Sequence, residues 1–245
     1  MILAWSVTRS SRALQSRAFG MERMKKWSQR RRLGVRWLVA GKAKWKSWFK
    51  GMSESMTDDA GVCGDESKLV GFYSGAISDN RGRRLTAIQS WGFDDLEHTH
   101  DYIQWLFPLR KPSPVNPTAP VLDSEVIAAF RHRQDLRHAF VRSLETMLHF
   151  YDFKLDGSDH EPNVRCSEQF EARAANWMTP GNHNHLRIAR ILACLRMLGF
   201  SSHAKAFFRA LQEVYWSETQ ARSRAISDES FSFWKSAAGL GEPNR

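Results

Sequence analysis

Cysteine is scarce in this chain: 245 residues hold three, Cys63, Cys166 and Cys194, all far apart. No CxxC pair exists, so a cysteine-rich zinc site is not expected, and an odd count without a framework fits a reducing compartment. No run of about 18 apolar residues occurs, so no spanning helix is expected. A G-x-S-x-G nucleophile elbow and a Gly-rich phosphate loop of either standard spacing are also missing, and neither Cys166 nor Cys194 has a local catalytic signature. These absences point away from nucleophilic catalysis and nucleotide binding.

Acid is nearly absent at the start. Residues 1–50 hold 14 Lys and Arg and one acid, Glu22, a balance of +13, whereas residues 51–245 hold 22 bases and 25 acids, a balance of −3. The overall charge of +10 therefore belongs to an N-terminal extension. A core near neutrality is not expected to bind nucleic acid. The extension interleaves Arg with Trp5, Trp27, Trp37, Trp45 and Trp48. Its first twenty residues, free of acid, fit an organellar presequence; the extension also fits a segment making peripheral contact with an anionic membrane, or a loose tail with Met52 or Met56 as the working start. Residues 51–67 read as a linker. The expected division is a basic, disordered extension and linker at 1–66, one domain at 67–240 and a short tail at 241–245.

Within that domain the apolar spacing is helical. A short helix is expected at 84–90 and a stronger one from Phe93 or Asp94 to Leu106, closed by Pro108. Five of the eight prolines fall between 108 and 120, which predicts an extended crossing. Asp123 reads as the N-cap of a helix to about Arg133. Leu136, Phe140, Leu144, Met147, Leu148 and Tyr151 mark a helix over 135–151. Residues 154–166 read as a loop, and Phe170–Met178 as a short helix. Asn182 is expected to cap a long helix ending at Gly199, another starts at Ser201 or Ser202, and a last one carries Phe231, Phe233 and Trp234. Nothing alternates with period two for long. The fold class is all-α: a single multi-helix globular domain with a Pro-rich crossing.

The run "HDYIQWLFPL" at 100–109 lies on the expected 94–106 helix. Most of it reads as core. Glu97, Asp101 and Gln104 form a polar stripe at i, i+4 and i+7, with Tyr102 and Trp105 beside it. His183, Arg187 and Arg190 repeat the same spacing on the 183–198 helix. The two stripes are either separate wet faces or a seam in which Arg187 or Arg190 pairs with Glu97 or Asp101.

"LEHTHDYIQWLFPLRKPS", then "NPTAPVL", "GNHNHLRIARIL" and "FSFWKSA", resemble the conserved region of the opioid growth factor receptor family, from about Tyr73 to Ala237. The resemblance implies a helical domain and, as in animal members, a peptide ligand, Met-enkephalin, with association to nucleus and membranes. It implies no catalytic residue and no cofactor. The candidate ligand-binding residues are Glu97, Asp101, Tyr102, Trp105, His183, Arg187 and Arg190. A peptide with a free amino end would want apolar walls and one carboxylate.

Two other readings compete. His100–Asp101 could hold a metal in an HD-type phosphohydrolase, with His98, His183 and His185 as further imidazoles, but such enzymes need a histidine upstream and none precedes His98. Lys111, Pro114 and Pro117 have the spacing that proline-recognition domains prefer, which suggests a scaffold. The expectation is a non-catalytic binding domain.

Overall fold

The computed structural model describes residues 66–114, 116–220 and 225–241. The basic extension and most of its linker lie outside the described residues. So does all but the first residue of the tail.

The described residues open with α1 (Glu66–Tyr73), which apolar spacing in the sequence does not mark. α2 (Leu85–Gln89) and α3 (Phe93–His98) follow. The helix expected over 94–106 is not continuous. Thr99 is extended, with φ −90° and ψ 132°, and a separate turn of helix, α4 (Ile103–Leu106), begins after Tyr102. Residues 108–114 and 116–123 form neither helix nor strand.

α5 (Ser124–His132) starts where Asp123 accepts a hydrogen bond from the Val126 amide at 2.7 Å. Extended Arg133 separates it from α6 (Gln134–Phe150), whose Leu136, Phe140, Leu144, Met147 and Leu148 are buried at three- and four-residue spacing. α1 packs on α5 and α6, and α2 on α6.

The expected 154–166 loop is a hairpin. β1 (Phe153–Gly157) pairs antiparallel with β2 (Pro162–Cys166), in register from Phe153↔Cys166 to Gly157↔Pro162. Phe153 and Val164 are buried while their strand neighbours face solvent. The fold is thus mostly helical, and the expected absence of sheet fails at this one place among the described residues. After α7 (Phe170–Ala174) comes α8 (Asn184–Met197), buried on most of its faces. Gly199, at φ 85°, ends that run in the left-handed conformation that suits glycine.

α9 (Ser201–Gln220) packs on α8 and under β2, and α10 (Asp228–Ala237) packs on both α8 and α9. Trp234 fixes α10 by donating its indole N–H to the His185 carbonyl at 2.8 Å. α8 is therefore the central rod of the fold, and the short helices α3 and α4 lie against it. No helix among the described residues is long and apolar enough to cross a membrane.

Candidate functional site

The site is the seam between α8 and the 96–107 segment. Arg187 is buried on α8. Its Nη1 donates to the Leu96 carbonyl at 2.8 Å, and its Nη2 donates to the Thr99 carbonyl at 2.7 Å. These oxygens lie at the end of α3, where helical carbonyls lose their own donors. A cation there also meets the negative end of the helix dipole. Arg190, one turn along α8, donates to the Phe107 carbonyl at 2.9 Å, just past α4. One rod thus closes two short helices with two arginines.

The seam exists where expected, but its chemistry differs from Arg–carboxylate pairing. Arg187 and Arg190 reach backbone oxygens. Asp101 is instead held by Arg81 at 3.1 Å and Arg83 at 2.8 Å, and Arg83 is shared with buried Asp79 at 2.6 Å. The physical reason is the break at Thr99: it turns Asp101 away from the Glu97 side of α3 and leaves carbonyls in front of Arg187. Gln104, third in the polar stripe, is buried.

Glu97 remains at the rim. Its Oε2 accepts from the Asn184 side-chain amide at 3.0 Å. His183 Nε2 lies 3.7 Å from its other oxygen, with the two side chains 31% and 29% exposed. Asn184 is fully buried and also accepts from Arg187 at 3.2 Å and from the Tyr151 hydroxyl at 3.5 Å. It is the bridging residue that stripe reasoning missed, because its role lies in the first turn of α8 rather than on a repeating face. The Asp79–Arg83 contact was missed as well; the polar turn "SDNRGRR" was its only signal.

His100 and His183 meet edge to face, with ring centres 5.2 Å apart. Arg187 Nη2 donates to His100 Nδ1 at 2.9 Å. Arginine only donates, so this nitrogen is the acceptor and the neutral ring carries its proton on Nε2. Burial, then the Arg187 charge, pushes the His100 imidazole down to about 4. The same two causes push His183 down to about 2. The His183–Glu97 contact is therefore one between a neutral ring and a carboxylate.

Tyr102 and Trp105 are core. Tyr102 is fully buried, donates to the Leu96 carbonyl at 3.1 Å and lies with its ring 5.6 Å from the Arg187 guanidinium carbon. Burial raises its phenol to about 12. Trp105 packs on Phe72 with ring centres 5.2 Å apart. Of the histidines considered as a ligand set, His100 and His183 touch, while the other two have separate partners. His185 is set between Trp177 and Trp234, and His98 Nδ1 contacts the Asp94 carbonyl. Among the described residues no three His, Cys, Asp or Glu side chains are arranged to hold a metal.

Residues 70–237 match the sequence model of the opioid growth factor receptor conserved region. The chain is similar to the rat opioid growth factor receptor, 40% identical over 156 residues, covering 62% of this chain and 26% of that protein. It is 39% identical to the human opioid growth factor receptor over 141 residues, 56% of this chain and 20% of the other. Mouse opioid growth factor receptor-like protein 1 is 38% identical over 116 residues, 45% of this chain and 23% of that protein. The chain thus spans about a quarter of the length of the curated relatives it matches. No solved structure matches it.

Proposed function

The chain belongs to the opioid growth factor receptor family, and from that premise we propose that its helical domain is a non-catalytic receptor for a peptide. The peptide's free amino end pairs with Glu97 at the rim of the seam. The observation that carries this is the state of Glu97. Its carboxylate is partly exposed and faces a neutral imidazole and an amide, whereas Asp101 is already held by two arginines. His100 and His183 supply flat aromatic walls beside it.

The electrostatics favour binding over chemistry. The seam phenols are raised and its imidazoles lowered, each by burial, so none of these groups is poised to exchange a proton near neutral pH. In the phosphohydrolase reading His100 and Asp101 would share a metal. Here they face different partners, Arg187 on one side and Arg81 with Arg83 on the other. The scaffold reading needs a free proline segment, but Asn116 donates to the Asp101 carbonyl at 2.9 Å, tying that crossing to the body, and Leu122 N donates to the Leu109 carbonyl at 3.0 Å, closing it on itself. Association with nucleus or membrane, and contact of residues 1–50 with an anionic membrane surface, belong to the same proposal.

Calorimetric titration of the full chain with Met-enkephalin, its scrambled sequence and its N-acetylated form is the test. Acetylation, or Glu97→Gln, should weaken binding about tenfold by removing a charge-assisted hydrogen bond. Equal heats for native and scrambled peptide would reject opioid recognition. Equal heats for free and acetylated peptide would remove Glu97 as the anchor.

A further inference from the structure

A second feature lies away from the seam. Between α2 and α6 runs an open groove of about 440 Å³, within the range of ligand sites. Its apolar floor includes Tyr73, Leu85 and Ala139, and its rim carries Arg84, His138 and Arg142. No Asp or Glu lines it. Arg84 is held in place by a 2.8 Å hydrogen bond from Nη1 to the Gly75 carbonyl. Among the described residues the Arg142 guanidinium, the His138 ring and the Thr86 hydroxyl have no hydrogen-bond or ion-pair partner. Glu145, one turn along α6 from Arg142, makes no ion pair with it among those residues. Cations on both walls, an apolar floor and idle donors form a surface complementary to an extended acidic segment.

We infer that the α2–α6 groove binds an anionic peptide segment, with carboxylates between Arg84 and Arg142 and an apolar side chain over Ala139. Several observations favour a peptide over nucleic acid. The groove offers two arginines rather than a tracking stripe. Its one lining phenol, Tyr73, is buried and cannot stack on a base, and the His138 ring alone gives no track of stacking platforms. Residues 51–245 also carry a net charge of −3.

The probe is the hexapeptide Glu-Leu-Glu-Glu-Leu-Glu, acetylated and amidated so that it has no amino end for Glu97; its control has Gln for every Glu. Titrated into the full chain, the acidic peptide should shift the backbone amide signals of Thr86, Gln89 and Ala139. Arg142→Glu should weaken its binding about tenfold or more while leaving the melting temperature unchanged. His138→Glu is the second variant should Arg142→Glu fail to fold, with the same expected loss. The inference is overturned by absence of binding, by equal binding of the Gln peptide, or by affinity indifferent to these substitutions, as when residues 1–50 capture the probe. Inorganic phosphate or a single-stranded oligonucleotide that gives the same shifts at lower concentration also overturns it.

Discussion

Arg187 donates to His100 across 2.9 Å, so the imidazole at the rim of the seam serves as an acceptor for a buried guanidinium. The bond survives only while the ring is neutral. Unfolded, His100 and His183 titrate near 6.5; folded, they are held at about 4 and about 2. Between these values the unfolded chain binds more protons, so the stability they contribute is complete above pH 6.5 and falls as pH drops. The melting temperature should therefore decline from pH 6.5 to 4. The His100 part should be on the order of 1 kcal/mol after screening at its partly exposed ring. His100→Asn should flatten that part of the profile; an identical slope in the variant would show that His100 does not report the seam.

Arg187→Ala removes the donors that close α3, leaving the Thr99 carbonyl without that partner and the Leu96 carbonyl with the Tyr102 hydroxyl alone. The expected loss is about 2 to 4 kcal/mol in urea unfolding. Arg187→Lys should recover part of it, since an ammonium keeps the charge but not the planar fork. A loss below about 1 kcal/mol for the alanine variant would mean that the seam is wet.

Asp79 organises the other side. Its Oδ1 accepts from the Arg81 and Arg83 amides, each at 2.9 Å, and its Oδ2 accepts from the Arg83 side chain at 2.6 Å. Asp79→Ala should destabilise the domain by about 2 to 4 kcal/mol. It should also raise hydrogen exchange at Asp101, which depends on the same arginine. Loss of stability without altered exchange at Asp101 would separate the two carboxylates.

Gly157 ends β1 at φ 87°, and a Cβ there would lie 2.3 Å from the Glu161 carbonyl oxygen. Gly157→Ala should cost about 2 to 4 kcal/mol or open the hairpin. Gly82 has φ 77° and open space around it, so Gly82→Ala should cost only about 1 kcal/mol. Equal losses, measured by chemical unfolding, would argue that the hairpin tip relaxes around the added carbon.

Some elements are written in local spacing and caps, and others are not. The apolar spacing from Leu136 to Leu148 and from Ile188 to Leu198 located α6 and α8. Asp123 marked its helix start because capping is decided by the adjacent amides. The hairpin escaped because a five-residue strand with Phe153 and Val164 as its buried anchors is too short for period-two spacing to register. α1 escaped because it is eight residues long and follows a polar stretch. Asp101 turns to Arg81 and Arg83 rather than to α8 because the helix breaks at Thr99, a break that apolar spacing does not mark.

Local order along the chain was enough to set the mostly helical character, the family likeness and the positions of the long helices, since periodicity and caps act within a few residues. Only the packed structure decided that Arg187 would close α3 and Arg190 would reach past α4, with Asp101 turning to Arg83. Those choices join residues 18 to 91 positions apart. They depend on which carbonyls lose their helical donors once α3 breaks, and that break is stabilised by a guanidinium brought from elsewhere in the chain.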